Sequence, residues 1–402
     1  MIKTKFEEIW PRVKKDLPFK LTITKLMEKY NITRYVAGNI KFAISHLNVL
    51  SSRENLSAQA ILKMGTLESQ LNNQKRLVKD LKKKDLELQE TLNHVLNTQI
   101  QDIKPTKRII LQNDINETNG IAIAVYTDQH IGKIVSKDET NGWNEHNPDI
   151  AIRRFHNFSI GVIDEINKTN LLYKKKGNKI ETLFLAFLGD GIQGRLREED
   201  LETNAMHPTQ ESKLYKELII ESIRYISENS GIENIKVILI WGNHGRTSLK
   251  LKFSAGWANS YEYLAYQDIE LIFKNYLTGY NNVEFYIPKS GIQEAILYPD
   301  FPITFSHGFN FNYRGGVGGI EVPMHTWHYM MREALPALRR YIGHWHIYKT
   351  GTVSICGSGL GYDGFCMHHK FTPEVPAGFF EIITVGKGYS FNKKIRVDEL
   401  LR

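Results

Sequence analysis

Residues 236–244 read KVILIWGNH: one lysine, five large apolar side chains, then a glycine, an amide and an imidazole. A short unbroken apolar run closed by glycine reads as a strand buried on both faces. The same sentence is written four more times. IAIAVYT (121–127) is followed by Asp128-Gln129-His130, and TLFLAFL (182–188) by Gly189-Asp190. ITF (303–305) leads into Ser306-His307-Gly308, and RRYI (339–342) into Gly343-His344-Trp345-His346. Between these runs, 149–167, 208–228 and 254–276 carry apolar residues at helical spacing. Short buried strands alternating with helices predict a layered α/β domain.

Loops that leave the carboxyl ends of adjacent strands converge on one crevice, so residues far apart in sequence can meet there. A single D-x-H or H-x-H proves little, because a histidine beside a strand is usually a satisfied core residue. Five groups of metal-ligating type, each directly behind an apolar run, are a different observation. Imidazole, carboxylate and amide oxygen together suit Mn²⁺, Fe or Zn²⁺, and ligand softness alone does not choose among them.

The ordered set D-x-H, GD, GNH, H, GH-x-H resembles the calcineurin-like metallophosphoesterase superfamily over roughly residues 119–385. The GNHGR spelling and the element GSGLGYDG (357–364) resemble its phage-encoded members. The resemblance implies a layered β-sandwich flanked by helices and a site for two divalent ions, with Mn²⁺ the first expectation. The first ion would take Asp128, His130, Asp190 and His346; the second would take Asp190, Asn243, His307 and His344, the Asp190 carboxylate bridging. Such a pair acidifies a water and clamps phosphoryl oxygens during in-line attack. His244 is implied as the group that protonates the leaving oxygen or stabilises the transition state. Two departures bear on that role. Gln193 stands where the family often has an Asp or His that orients the histidine, and Gly245 stands where an acidic residue often follows GNH.

Arg246 and Lys250 in GNHGRTSLK, and Arg195 after the second motif, are of a type that holds substrate phosphate; a surface charge is the competing reading for each. Arg197 shares that ambiguity. The loop Tyr313-Arg314-Gly315-Gly316-Val317-Gly318-Gly319 allows close backbone approach to a ligand or a hinged lid, or is a plain connection. Trp345, between two candidate ligands, reads as packing rather than base stacking.

Upstream the texture differs. Of the 52 Lys/Arg and 44 Asp/Glu, 19 and 11 lie in residues 1–105, so that quarter carries the whole net charge of +8 and the rest holds 33 of each sign. Such asymmetry marks a polyanion-binding module joined to a neutral one. Residues 1–50 read as short helices, and ITKLMEKYNITRYVAGNIKFAISHL resembles a helix-turn-helix unit. Its second helix would present Arg34, Tyr35, Asn39 and Lys41 to nucleic acid, although any small helical hairpin has a similar pattern. Residues 51–104 hold a heptad seam (Met64, Leu67, Leu71, Gln74, Val78, Leu81, Asp85, Leu88, Leu92, Val95) with eight of ten positions apolar. That predicts a coiled-coil helix and a homo-oligomer, or else a helix folded back on the rest. Lys104-Pro105 ends it, and 105–402 form the third part.

The 402-residue chain has 42% hydrophobic and 24% charged residues, which excludes a collagen-like or wholly disordered protein. It has no run of eighteen apolar residues and no apolar leader, so no membrane partner is expected. Two cysteines, Cys356 and Cys366, make no disulfide framework, and a cytoplasmic location is expected. The parts together predict a nuclease or phosphodiesterase acting on DNA. Two alternatives share the sequence features: a phosphatase or phosphodiesterase for proteins or small nucleotides, and a DNA-binding scaffold with a vestigial metal site.

Overall fold

Alternate residues of the buried strands face two different cores, and this decides the layering. The computed structural model describes residues 108–111, 119–174, 178–252, 254–297, 300–312, 319–384 and 389–398, with single helical positions at 27 and between 71 and 79. The chain divides into two units, Met1–Ile103 and Lys104–Arg402. In the first, the seam residues Leu71, Gln74 and Val78 are helical and exposed. Arg34, Tyr35, Asn39, Lys41 and the remaining seam positions lie outside the described residues, as does the glycine loop at 313–318.

The second unit is mixed α/β, built on two six-stranded sheets. The first sheet runs β12-β11-β2-β3-β4-β5. Its strands are β2 (Gly120–Tyr126), β3 (Ile180–Phe187), β4 (Asn234–Leu239), β5 (Val283–Tyr286), β11 (Ala377–Thr384) and β12 (Tyr389–Arg396). β2 to β5 are parallel neighbours, and β11 pairs antiparallel with both β2 and β12. The second sheet runs β1-β6-β7-β8-β10-β9. It comprises β1 (Ile109–Ile110), β6 (Ile292–Leu297), β7 (Phe301–Ser306), β8 (Arg339–Ile342), β9 (Tyr348–Lys349) and β10 (Val353–Cys356). Here β7, β8 and β10 run parallel, so their carboxyl ends share an edge.

Ile121, Ile123, Val125, Phe184, Ala186 and Ile238 form one apolar cluster with Ala295, Leu297, Ile303, Phe305 and Tyr341 of the second sheet. The intervening residues Ala122, Ala124, Tyr126, Leu183, Leu185, Phe187 and Val237 belong to a second cluster with helices α1 (Pro148–Lys174), α3 (Pro208–Asn229) and α4 (Tyr261–Asn275), the short α2 being Glu198–Glu202. Tyr126 stacks on Phe158 of α1 with centroids 4.5 Å apart. On the far face of the second sheet, Ile342, Val353 and Ile355 pack with Met324 of α5 (Glu321–Met330). A side chain buried on either face stabilises by about 1.5–3 kcal/mol relative to exposure. That is why these strands lack the alternation of a half-wet sheet.

All five expected runs are strands. The helix expected over 254–276 is divided: a 3₁₀ turn, Gly256–Asn259, precedes α4. Ala255 adopts a left-handed φ of 56°, and extended Ser260 caps α4 by accepting the Tyr263 N–H, which breaks the helical run. Among the described residues, no helix is long and apolar enough to cross a membrane.

Candidate metal centre

Each buried strand ends in a sharp turn that leaves its polar residue at the sheet edge. Asp128 (φ 54°), His130 (44°), Asp190 (49°), His344 (70°) and His346 (52°) all occupy the left-handed region. Non-glycine residues there cost about 1–3 kcal/mol each and persist where the surroundings impose them, commonly at functional sites. The glycines of GN and GH are required by close approach. A Cβ on Gly242 would lie 2.2 Å from Asp190 Oδ1, and one on Gly343 would lie 2.1 Å from Thr127 Oγ1 and 2.5 Å from Asp128 Oδ2.

The side chains so presented gather in two adjacent groups. Asp128, His130 and His346 offer ligand atoms within 4.8 Å of one another, as do Asp190, His307 and His344. In the second group His307 Nδ1 donates to the Leu188 carbonyl at 2.6 Å. Its Nε2 therefore faces Asp190 Oδ2 at 2.9 Å and Asn243 Oδ1 at 3.1 Å. With the ring neutral, three lone pairs point at one another, an arrangement that only a cation or a proton relieves. In the first group Asp128 Oδ2 accepts from Thr127 Oγ1 (2.7 Å) and from the His344 N–H (2.8 Å). Asp128 Oδ1 and His130 Nε2 are buried without a hydrogen-bond partner, and His346 Nε2 lies 3.4 Å from that same Oδ1. Orphaned buried acceptors that converge are what a cation site requires. These buried groups could hold a metal ion.

The electrostatics divide the rings: burial opposes charge on all four, and it prevails at His130 and His344 but not at His307 and His346, the last held well above the usual imidazole range by Asp128 and Asp363. Burial, reinforced by the neighbouring histidines His244 and His346, holds the His130 pKa well below the usual imidazole range. Burial and His307 push His344 down to about 3. Both rings are therefore neutral, as ligands must be. For Asp190, burial disfavours the charge, but His307 and His244 overrule it and keep the carboxyl ionised. Burial likewise opposes charge on His307, yet Asp190 raises it to about 9.

The surrounding shell was not evident from sequence. Glu262 is buried and accepts the N–H groups of Gly191 and Gly242, both at 2.7 Å, tying the GD loop to the GN loop. Glu211 accepts from the Gln193 and Gly194 N–H groups at 2.7 and 3.0 Å. Asp363 forms a buried ion pair with Lys133 at 2.7 Å and lies 3.8 Å from His346 Nδ1. Cys366 joins Asp363 and His346 in a third group of ligand type. Both cysteines are buried and unpaired.

His244 stands beside His130, ring centroids 4.7 Å apart, and its Nδ1 donates to the Gln193 backbone carbonyl at 2.9 Å. The departure at Gln193 is now explicit: its amide oxygen bonds His130 Nδ1 at 2.8 Å, and only its backbone reaches His244. The Asp190 carboxylate belongs to the second group, its Oδ1 accepting the His244 N–H at 2.7 Å. Arg246 folds onto its own loop, donating to the carbonyls of Asn243, Ser248 (3.0 Å) and Leu249 (3.2 Å). Its fork is therefore engaged by backbone. Lys250 is exposed, and half-buried Arg195 donates to His207 Nδ1 at 3.1 Å. Trp345 is buried, donates to the Gly308 carbonyl at 3.3 Å and stacks on Phe311, so it packs.

Comparison with protein-family models and with curated proteins gives no match to this chain.

Proposed function

We propose that the protein is a metal-dependent phosphoesterase of the calcineurin-like type, acting on the phosphodiester backbone of DNA. The observation that carries this reading is the convergence of Asp128, His130, Asp190, Asn243, His307, His344 and His346 from five strand ends on two adjacent groups, five of the seven in strained left-handed backbone. Two divalent ions held there, Mn²⁺ in the first instance, would supply an acidified water and neutralise charge on the phosphoryl oxygens.

The protein's own groups do the rest. Asp128 and Asp190 supply negative charge, His130 and His344 supply neutral imidazole lone pairs, and His307 and His346 would do so once a cation takes the place of their proton. The Thr127, Glu211 and Glu262 contacts hold the loops in register, which prepays orientation. His244, fixed by its Nδ1 bond to a carbonyl, turns Nε2 away from that partner. As the water oxygen bonds to phosphorus and the ester P–O bond breaks, a proton carried on His244 Nε2 would pass to the leaving oxygen. The net +8 of residues 1–105 would bring a polyanion to the site through phosphate contacts, and the heptad seam would pair two chains on it.

A monoester reading draws support from the 33 charges of each sign in residues 106–402, since a nucleic-acid groove often carries excess base. Turnover of a mono- and a diester chromogenic phosphate, followed by linear, circular and single-stranded DNA with Mn²⁺, separates the two. Diester and DNA cleavage abolished by Asp190→Ala is the expected result. Monoester turnover alone would move the protein to the phosphatase class, and no metal-dependent turnover would refute the enzyme reading.

A further inference from the structure

Asp200, Gln193 and His130 form a buried chain of hydrogen bonds that ends at a candidate ligand atom, all three being 3% exposed or less. Asp200 opens the chain. Its Oδ1 accepts from Gln193 Nε2 at 2.7 Å, and its Oδ2 accepts the N–H groups of Leu196 and Arg197 at 3.2 and 2.9 Å. Ringed by three N–H donors, this carboxylate can only accept. The Gln193 amide must then turn its NH₂ toward Asp200 and its oxygen toward His130, where Oε1 meets Nδ1 at 2.8 Å. An acceptor at Nδ1 demands a hydrogen on it. A neutral imidazole carries one N–H, so the lone pair remains on Nε2, the buried atom without a partner that faces Asp128 and His346.

We infer that Gln193 and Asp200 are positioning residues that lock His130 in its Nδ1–H tautomer and so set the affinity of the first metal position; this rests on the metal reading above. The device explains a feature of the sequence that the site otherwise leaves idle. Glutamine, unlike a carboxylate, both accepts from His130 and donates onward, so the choice made at Asp200 is transmitted through it. It also ties the turn carrying Arg195 and Arg197 to the first metal position, because the same carboxylate caps that turn. Outer partners of ligating histidines change metal affinity by about 10- to 100-fold when removed.

The test uses the full-length chain stripped of metal and titrated with Mn²⁺, together with ¹H–¹⁵N correlation of the histidine ring nitrogens. Wild type should hold two ions, and its metal-free His130 should show the Nδ1–H pattern. Asp200→Asn lets the new amide donate to Gln193, which flips and donates to Nδ1. His130 should then shift to Nε2–H, and the first-position affinity should fall about 10- to 100-fold with the second unchanged. Gln193→Leu should show the same selective loss. Gln193→Glu combined with Asp200→Asn keeps an acceptor at Nδ1 and a donor behind it, and should restore first-position affinity relative to Gln193→Leu. Unchanged tautomer and affinity in Asp200→Asn would overturn the inference, and so would equal weakening of both positions. A wild-type chain that takes up no ion removes the metal reading itself, whereas two ions with indifferent variants remove only the relay.

Discussion

His307 Nε2 and Asp190 Oδ2 lie 2.9 Å apart although one follows β7 in the second sheet and the other follows β3 in the first. The contact makes the site a property of the sandwich: neither sheet alone contains it. With His307 Nδ1 committed to the Leu188 carbonyl, the approach of Nε2 to Asp190 and Asn243 is tolerable only with positive charge among them.

Asp190→Ala removes the carboxylate at the centre of that contact. Diester turnover should fall by at least about 10²- to 10³-fold, the scale on which single electrostatic stabilisers act, while far-ultraviolet circular dichroism stays native. An unchanged rate would mean that the chemistry lies elsewhere.

Gly242→Ala puts a methyl 2.2 Å from Asp190 Oδ1. Overpacking of this kind costs about 1–3 kcal/mol, so urea unfolding should shift to lower concentration. Activity should drop further than the loss of folded protein explains, because the methyl displaces the ligand. At an unconstrained position the same change stabilises slightly, so a neutral or positive shift would refute the close approach.

Lys133→Met strands the Asp363 carboxylate in a buried setting. Breaking a buried pair on one side costs about 3–5 kcal/mol, and adding Asp363→Asn should return a good part of it. A double variant whose loss equals the two single losses added together would show that the pair is not coupled.

Glu381 supplies the pH test. Buried between the sheets and bonded by the Tyr341 hydroxyl at 2.7 Å, its carboxyl is raised above 4.5, by burial first, despite the hydrogen bond and Arg339. The folded state therefore binds this proton more tightly than the unfolded state. The contribution is complete below the unfolded value and is lost as pH rises through the folded one. Glu381→Gln keeps an acceptor for Tyr341 and carries no charge. Its melting temperature relative to wild type should be higher at pH 8 than at pH 4.5. A difference independent of pH would contradict the shift.

The candidate ligand residues were legible because each stands directly behind a strand buried on both faces, and the convergence of such strand ends is a rule of α/β folds. The rest of the sheets was harder to read. β6 (IQEAIL) is buried only at alternate positions, β12 (YSFNKKIR) scatters its apolar residues among Asn392, Lys393 and Lys394, and β11 is interrupted by Glu381. Asp200 sits in the acidic stretch REEDLE, and Glu211 and Glu262 each stand in the first turn of a helix, settings in which a carboxylate reads as solvated. Glu211 and Glu262 pair with backbone N–H groups 17 to 71 residues away, and Asp200 with the Gln193 side chain as well as its own turn; local pattern carries no signal for such pairing. Asp363 lay within GSGLGYDG, a stretch that stood out without revealing its partner Lys133.

The central claim is that these side chains hold a pair of divalent cations, and anomalous scattering tests it most directly. Crystals of the full-length protein grown with Mn²⁺, measured across the manganese edge, should show two peaks. One should lie among Asp128, His130 and His346, the other among Asp190, Asn243, His307 and His344. No peak among these residues, or density confined to the His346, Asp363 and Cys366 group, would contradict the account.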